Sequence, residues 1–357
     1  MDNVTHTMFA LTLARTRLGR GGRGTAVALV LASNAPDIDI VAGLGSGANY
    51  LAWHRGPTHG PLGVVGLGFV TAVLVWGCAR FWDPSSGGPI RLKPDPTDDS
   101  ARFPRLLAVS MIGVLLHILM DLPTSYGTRL FSPFSWRWFA IDLMPIVDVY
   151  LWAILAGGLL IGTWWAGTRH QSAVIALALM AANYGVRVAT HQEALAAAAK
   201  RYGPSLPAPC DPSAAFGSLV DSWPQSSASQ VSGTGCLIDT AAIPSFVSPF
   251  DWRVIAQLPD SYVEIDGDDA TKIPNRWTPQ VTAAARTRTV QVLLGFSRFP
   301  VVKVLSQPSG GAIVQFTDMR FVMGPADRPL QARRSALFTA TVRLGPHNEI
   351  LEERVGE

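Results

Sequence analysis

Nineteen consecutive residues, Pro61 to Ala79 (PLGVVGLGFVTAVLVWGCA), carry no charged side chain. A spanning helix needs about 20 mainly apolar residues, so this run matches the thickness of a bilayer. Three further runs follow the pattern. Residues 105–122 hold His117 and Asp121 near their end, residues 145–166 hold Asp148 near their start, and residues 172–190 are interrupted by Arg187. Residues 6–18 and 24–35 are apolar but short for a full span. They read as a helical hairpin packed against the longer spans or partly re-entrant, turning through GRGGRG.

The apolar runs lie before residue 200, whereas the later chain has the composition of a soluble protein. A length of 357 residues fits a membrane domain plus a soluble one. The expected fold class is mainly α: a polytopic helical membrane bundle followed by a small α+β domain outside the membrane. Residues 1–198 are expected to form the membrane domain. Residues 199–245, rich in Pro, Ser, Gly and Ala, are expected to be linker or irregular structure. Residues 246–357 are expected to form the outer domain, with a strand pair over 250–266, a helix within 278–296, and strands over 311–323 and 335–345. A net charge of +3 is too small to suggest a nucleic-acid binder by itself. The start lacks a basic n-region before its apolar stretch, so insertion is expected to use uncleaved segments.

Arg and Lys orient the chain. Arg15, Arg17, Arg20 and Arg23 cluster at the hairpin turn. Arg80, Arg91, Lys93, Arg102 and Arg105 surround the loop between the first two long spans, and Arg169 precedes the last. The positive-inside rule assigns these loops to the cytoplasm. Residues 1–6, 36–60, 121–146 and the C-terminal region then face outward, on an integral inner (cytoplasmic) membrane protein.

That outward list gathers His6, Asp37, Asp39, His54, Arg55, His59 and Asp121, with Asp2, Asp142 and Asp148, and His117 lies one turn inside. His117 and Asp121 are four apart and share a helix face. They could grip a metal, or could form a buried pair that locks two helices. Asp37 and Asp39 follow Pro36 and suit either metal ligation or ordinary turn chemistry. In HRGPTHG, Gly56 and Pro57 stiffen the turn and Thr58 is placed to cap the next helix. Arg55 between two imidazoles opposes a cation but suits an anionic ligand such as phosphate; an interfacial loop with snorkelling side chains is the plainer alternative. Either Asp142 or Asp148 is expected at a helix start, where the dipole favours a carboxylate. Four His and several Asp exceed the four ligands of one zinc, which points to two metals, or to one metal with supporting acid–base groups.

Of three cysteines, Cys78 is expected to be a small buried hydrophobe in the first long span. Cys210 and Cys236 fit neither a zinc knuckle nor CxxC. They form a disulfide if their region faces an oxidising compartment, and are otherwise two free thiols.

MDNVTH, APDID, HRGPTH and HILMD, in that order, resemble the YdjM-type family of membrane-bound metal-dependent hydrolases, as do the later SPFDWRV, FSRFP and FTDMRF. That family is distantly similar to zinc-dependent phospholipases C and single-strand nucleases. The resemblance implies a metal set of His6, Asp37, Asp39, His54, His59, His117 and Asp121, with one or more Zn²⁺ ions. It implies a phosphate-orienting Arg55. Asp39 or Asp121 could take a proton as general base. A phosphoester, a phospholipid or another lipid-linked substrate at the outer membrane–water interface would fit. Gly60 departs from the Ser expected after His59, and a lost hydroxyl there could remove a cap or a supporting contact. Two other classes compete: a proton-coupled transporter built on intramembrane His and Asp, and a metal-stabilised membrane anchor presenting a binding domain.

Overall fold

A computed structural model describes residues 1–83, 88–89, 102–210, 220–223, 235–308, 310–324, 329–330, 333–335 and 338–355. Arg91, Lys93 and parts of the 199–245 and 335–345 segments lie outside the described residues. The chain divides into two compact units, residues 1–39, 55–136 and 144–186, and residues 40–54, 137–143 and 187–357.

The first unit is helical. Its elements are α1 (Asn3–Ala14), α2 (Thr25–Ala32), α4 (Pro61–Phe81), α5 (Phe103–Asp121), α6 (Val149–Trp164) and the first half of α7 (Arg169–Tyr202). Helix α3 (Gly47–Trp53) belongs to the second unit. Among the described residues, three helices are long and apolar enough to cross a membrane: Pro61–Ala79, Phe103–Asp121 and Ala166–Ser205. A fourth span results if Thr25–Ala32 and the 3-10 stretch Ala35–Leu44 count as one bent span. The 145–166 run yields only the 16-residue α6.

Helices α2, α4 and α5 pack through Ala28, Leu29, Ala72, Val75, Leu106 and Val109. Small residues set the approach: a Cβ on Gly113 would stand 2.8 Å from the Ala32 methyl, and one on Gly68 2.7 Å from Met111. Leu62, Val65, Phe69, Val70, Val73 and Leu74 remain exposed on α4. An outward apolar face of this kind suits lipid and would be costly in water. Cys78 is free and exposed on the same helix, contrary to the expected burial; a helix in lipid can keep a small apolar side chain on its outer surface.

The second unit holds two antiparallel four-stranded sheets. The first is a meander of β3 (Asp239–Pro244), β4 (Trp252–Gln257), β5 (Ser261–Asp266) and β6 (Asp269–Pro274). The second orders its strands β10 (Ile350–Val355), β9 (Ala340–Leu344), β8 (Ala312–Asp318), β7 (Pro300–Ser306). A short pair, β1 (Trp138–Ala140) with β2 (Asp221–Trp223), stands apart from both. The 278–296 segment forms two helices, α8 (Pro279–Ala284) and α9 (Arg288–Phe296). Strand β3 falls in the segment read from the sequence as linker or irregular structure.

Ile243, Ile255, Tyr262, Phe299, Val301 and Met319 form one apolar core cluster of this unit. Several buried charges in this unit are paired. Glu264 accepts two bonds from Arg333 and one from Arg253 at 2.9 Å. Arg298 donates to Asp142, Asp221 and Asp239 at 2.8–2.9 Å. Burial pushes Asp221 up to about 6, against the pull of Arg298 and with reinforcement from Asp142 and Asp239. Burial also pushes Glu264 up, but the bond from Arg333 and the charge of Arg253 outweigh it, and its pKa is lowered. Cys210 and Cys236 form a disulfide beside a parallel bridge between Pro209 and Leu237.

Candidate metal centre

His117 and Asp121 occupy successive turns of α5, both buried. His59 closes a 3-10 turn, Pro57–His59, just before α4. Asp37 lies in the 3-10 stretch that Pro36 helps to start. These four residues each present one ligand atom, and the four atoms lie within 4.8 Å of one another. The two Nε2 atoms of His59 and His117 are 3.2 Å apart. Asp121 Oδ2 is 3.3 Å from each of them. Asp37 Oδ1 is 3.6 Å from the first and 3.5 Å from the second.

Both tautomers follow from the outer ring atoms. The Ser33 carbonyl lies 2.7 Å from His117 Nδ1, so that nitrogen donates and Nε2 keeps its lone pair. His59 Nδ1 faces Thr58 Oγ1 at 3.0 Å, and Thr58 in turn donates to Asp39 Oδ2 at 2.9 Å. Again the proton sits on Nδ1. Two lone pairs and two carboxylate oxygens therefore converge. Asp121 Oδ2 is buried with no hydrogen bond. Such a convergence is repulsive by itself and is relieved by a cation. A tetrahedral zinc with bonds of about 2.0–2.2 Å spaces its ligand atoms about 3.3–3.6 Å apart. Four of the five separations above fall on that edge length and the His59–His117 pair stands 0.1 Å inside it, so the residues fit the metal.

The other expected residues stand around this group. The His6 ring stacks on His117 with centroids 3.8 Å apart, and its Nε2 is 3.3 Å from Asp121 Oδ1. Both His6 ring nitrogens are buried without a hydrogen bond. Asp39 Oδ2 accepts from the Arg55 backbone N–H at 2.8 Å and from Thr58, and lies 3.4 Å from His59 Nδ1. It thus ties the turn to the ring. Thr58 spends its hydroxyl on that link and does not cap α4. Arg55 is buried, adopts φ 52°, and reaches Asp121 Oδ1 with Nη2 at 3.1 Å. Its Nη1 donates to Thr124 Oγ1 and the Gly127 carbonyl, and its guanidinium lies over the Tyr126 ring. The Met1 amino group also meets Asp121 Oδ1.

His54 belongs to the second unit, where it ends α3 and stacks on Tyr50 with centroids 4.4 Å apart. Asp2 and Asp148 are N-caps, accepting from Thr5 and Leu151. Asp142 lies in the second unit and pairs with Arg298. Gly60 is set by sterics: a Cβ there would stand 2.0 Å from the Ser132 carbonyl oxygen. A serine would collide, so the departure reflects close packing of this turn.

The supporting roles of Ser33, Thr124, Tyr126 and Gly127 went unread in the sequence. A backbone carbonyl leaves no residue-type signal, and the segment after Asp121 reads only as an ordinary turn.

A family model described as YdjM inner membrane protein matches residues 1–194, which is more than half of the chain and carries all four members of the cluster. The chain is 28% identical over 158 residues to a Bacillus subtilis (strain 168) protein described as uncharacterized protein YfhP. That match covers 44% of this chain and 42% of the relative, so it spans less than half of the relative's length. No solved structure matches.

Proposed function

The chain belongs to the YdjM inner membrane protein family, and from that premise we propose that it is a membrane-embedded, metal-dependent hydrolase of phosphoesters. One observation carries the reading: two imidazole lone pairs and two carboxylate oxygens converge within 4.8 Å of one another inside an apolar helical unit. Asp37, His59, His117 and Asp121 would hold the ion. The mixed nitrogen and oxygen donors suit zinc. A zinc ion held there would supply Lewis acidity toward a phosphoryl oxygen and toward water.

The chain's own residues supply the rest. Ser33 and the Thr58–Asp39 pair fix the two rings. Supporting bonds of this kind hold the orientation and basicity of ligating imidazoles. Arg55 is the anion-binding group: its fixed charge would orient a phosphoryl group and steady charge developing on its oxygens. Its present partner, Asp121, competes with an incoming anion for the guanidinium. Binding would therefore shift Arg55 from carboxylate to substrate. His6, beside Asp121 with no hydrogen bond of its own, is placed to accept a proton.

Residues 1–198 would form the membrane domain and the chain beyond them, β3 included, the outer domain. Arg and Lys in the three loops put the C-terminal region outside by the positive-inside rule. The substrate would then be a phospholipid or another lipid-linked phosphoester at the outer membrane–water interface. The test is metal analysis of the detergent-purified full chain, followed by a phosphoester and phospholipid hydrolysis screen. Stoichiometric transition metal with turnover lost in Arg55→Ala supports the reading. Absence of metal after repletion overturns it.

A further inference from the structure

Between β3 and β4 the chain reads PSFVSPF, residues 244–250. Phe246, Val247 and Phe250 are 48%, 73% and 69% exposed. The backbone that presents them is fixed. Ser245 N–H donates to the Asp251 carbonyl and closes the loop base. The Ser245 and Ser248 hydroxyls accept from Val247 and Phe250 N–H at 3.2 Å. Three large apolar side chains are thus held outward by a braced turn, an arrangement that water disfavours.

The loop is fastened to a helix at a telling height. Thr190 Oγ1 on α7 donates to the Pro249 carbonyl at 2.7 Å. Trp252 Nε1 donates to the same carbonyl, and its ring meets the His191 ring edge-on. One and two turns further along, Leu195 and Ala198 pack against Ala242, Trp252, Val254 and Ile265. Thr190 ends the apolar run 172–190, and His191, Gln192 and Glu193 follow it. On a helix that crosses the membrane, this change from apolar to polar marks the edge of the hydrocarbon. The loop is therefore pinned at headgroup level on the C-terminal side, where aromatic and aliphatic side chains partition favourably.

We propose that the 244–250 loop is a membrane-inserted wedge, with Phe246, Val247 and Phe250 dipping into the leaflet on the C-terminal side. Its partner is the lipid surface, which the continuity of the loop with α7 supplies. The inference rests on α4 and α7 spanning the bilayer, and not on the metal chemistry.

The test places a spin label on the full chain in a Cys78→Ser background, reconstituted into phosphatidylcholine–phosphatidylglycerol vesicles. Val247→Cys is the probe and Phe250→Cys repeats it should the first fail to fold. Val70→Cys, on the exposed face of α4, reports the bilayer interior, and Ser306→Cys, in the second sheet, reports water. Label collisions with oxygen and with a water-soluble nickel chelate are compared. The expected result is an oxygen preference at 247 and 250 of the same sign as at 70, with the opposite sign at 306. Nickel access at 247 and 250 equal to that at 306, while 70 stays in lipid, overturns the wedge alone. Shielding from both reagents with dipolar broadening shows a second copy of the chain on the loop, and also overturns it. Nickel access at 70 removes the membrane premise and the wedge with it.

Discussion

His117 Nε2 faces His59 Nε2 across 3.2 Å, and the Nδ1 atom of each ring is already committed as a donor. Two neutral imidazoles do not rest in that relation without a cation between them. Each ring is therefore expected to be essential for metal. His117→Ala and His59→Ala should each lose stoichiometric metal, read by elemental analysis of the purified full chain. Full retention of the ion in either variant would remove that ring from the site.

Asp39 makes a graded prediction. It is placed behind His59, through Thr58 and the Arg55 backbone. Asp39→Ala should weaken metal affinity by about 10–100-fold without abolishing it, as loss of a supporting carboxylate does. Competition with a chelator of known affinity measures this. Affinity equal to wild type would mean that Thr58 alone holds the ring.

Arg55 separates metal binding from chemistry. Arg55→Ala should keep the ion and lose about 10²–10³-fold in kcat, the usual cost of removing one donor to developing charge. Arg55→Lys should recover little, because a point charge replaces a planar fork. Turnover at the wild-type rate in Arg55→Ala would leave a hydrolase whose anion is held elsewhere.

Two carboxylates in the C-terminal unit, Glu264 buried and Asp221 partly buried, respond to pH with opposite signs. Asp221, pushed up to about 6 mainly by burial, holds a proton in the folded state that the unfolded chain loses near its ordinary value of about 4. Its contribution to stability falls as pH rises across that window and is level above it. Glu264, lowered against burial by Arg333 and Arg253, contributes above the ordinary carboxylate range and loses that contribution as pH falls below it. Asp221→Asn should flatten the slope between about pH 4 and 6, read from denaturant midpoints. Glu264→Ala should cost about 3–5 kcal/mol near neutral pH, because the buried Arg333 and the partly buried Arg253 lose their carboxylate. An unchanged slope in the first variant, or a near-neutral effect in the second, would contradict these assignments.

The disulfide is checked by peptide mapping without reductant, which should recover a linked Cys210–Cys236 peptide. Replacing both by serine should lower stability by about 2–4 kcal/mol for a loop of this size. Two free thiols in protein purified without reductant would argue against an oxidising location for this region.

Much of the helical unit was legible because apolar runs of spanning length have few other uses. The i, i+4 spacing of His117 and Asp121 likewise fixed their common face in advance. Spacing could not say which histidine of HRGPTH would join them. Between the two rings Arg55 takes a left-handed backbone conformation, and no residue type announces that. Strand β3 was hidden for a different reason. DTAAIP has small side chains and little β-branching, and its place in the sheet comes from pairing with Trp252–Gln257. Helix α7 outruns its apolar segment because HQEALAAAAKR, with charged and polar residues at both ends, is rich in strong helix formers.

Gly60 leaves no room for a Cβ beneath the Ser132 carbonyl, Arg129 N–H donates to the Arg55 carbonyl, and Arg55 reaches Thr124 and Gly127. The histidine turn and the segment from 124 to 132 are consequently one heritable part. A transplant of HRGPTHG alone into another helical scaffold would carry the imidazole but not the mould that aims it. A working graft would have to move both stretches together, and in homologues a side chain gained at position 60 should travel with a compensating shift around position 132.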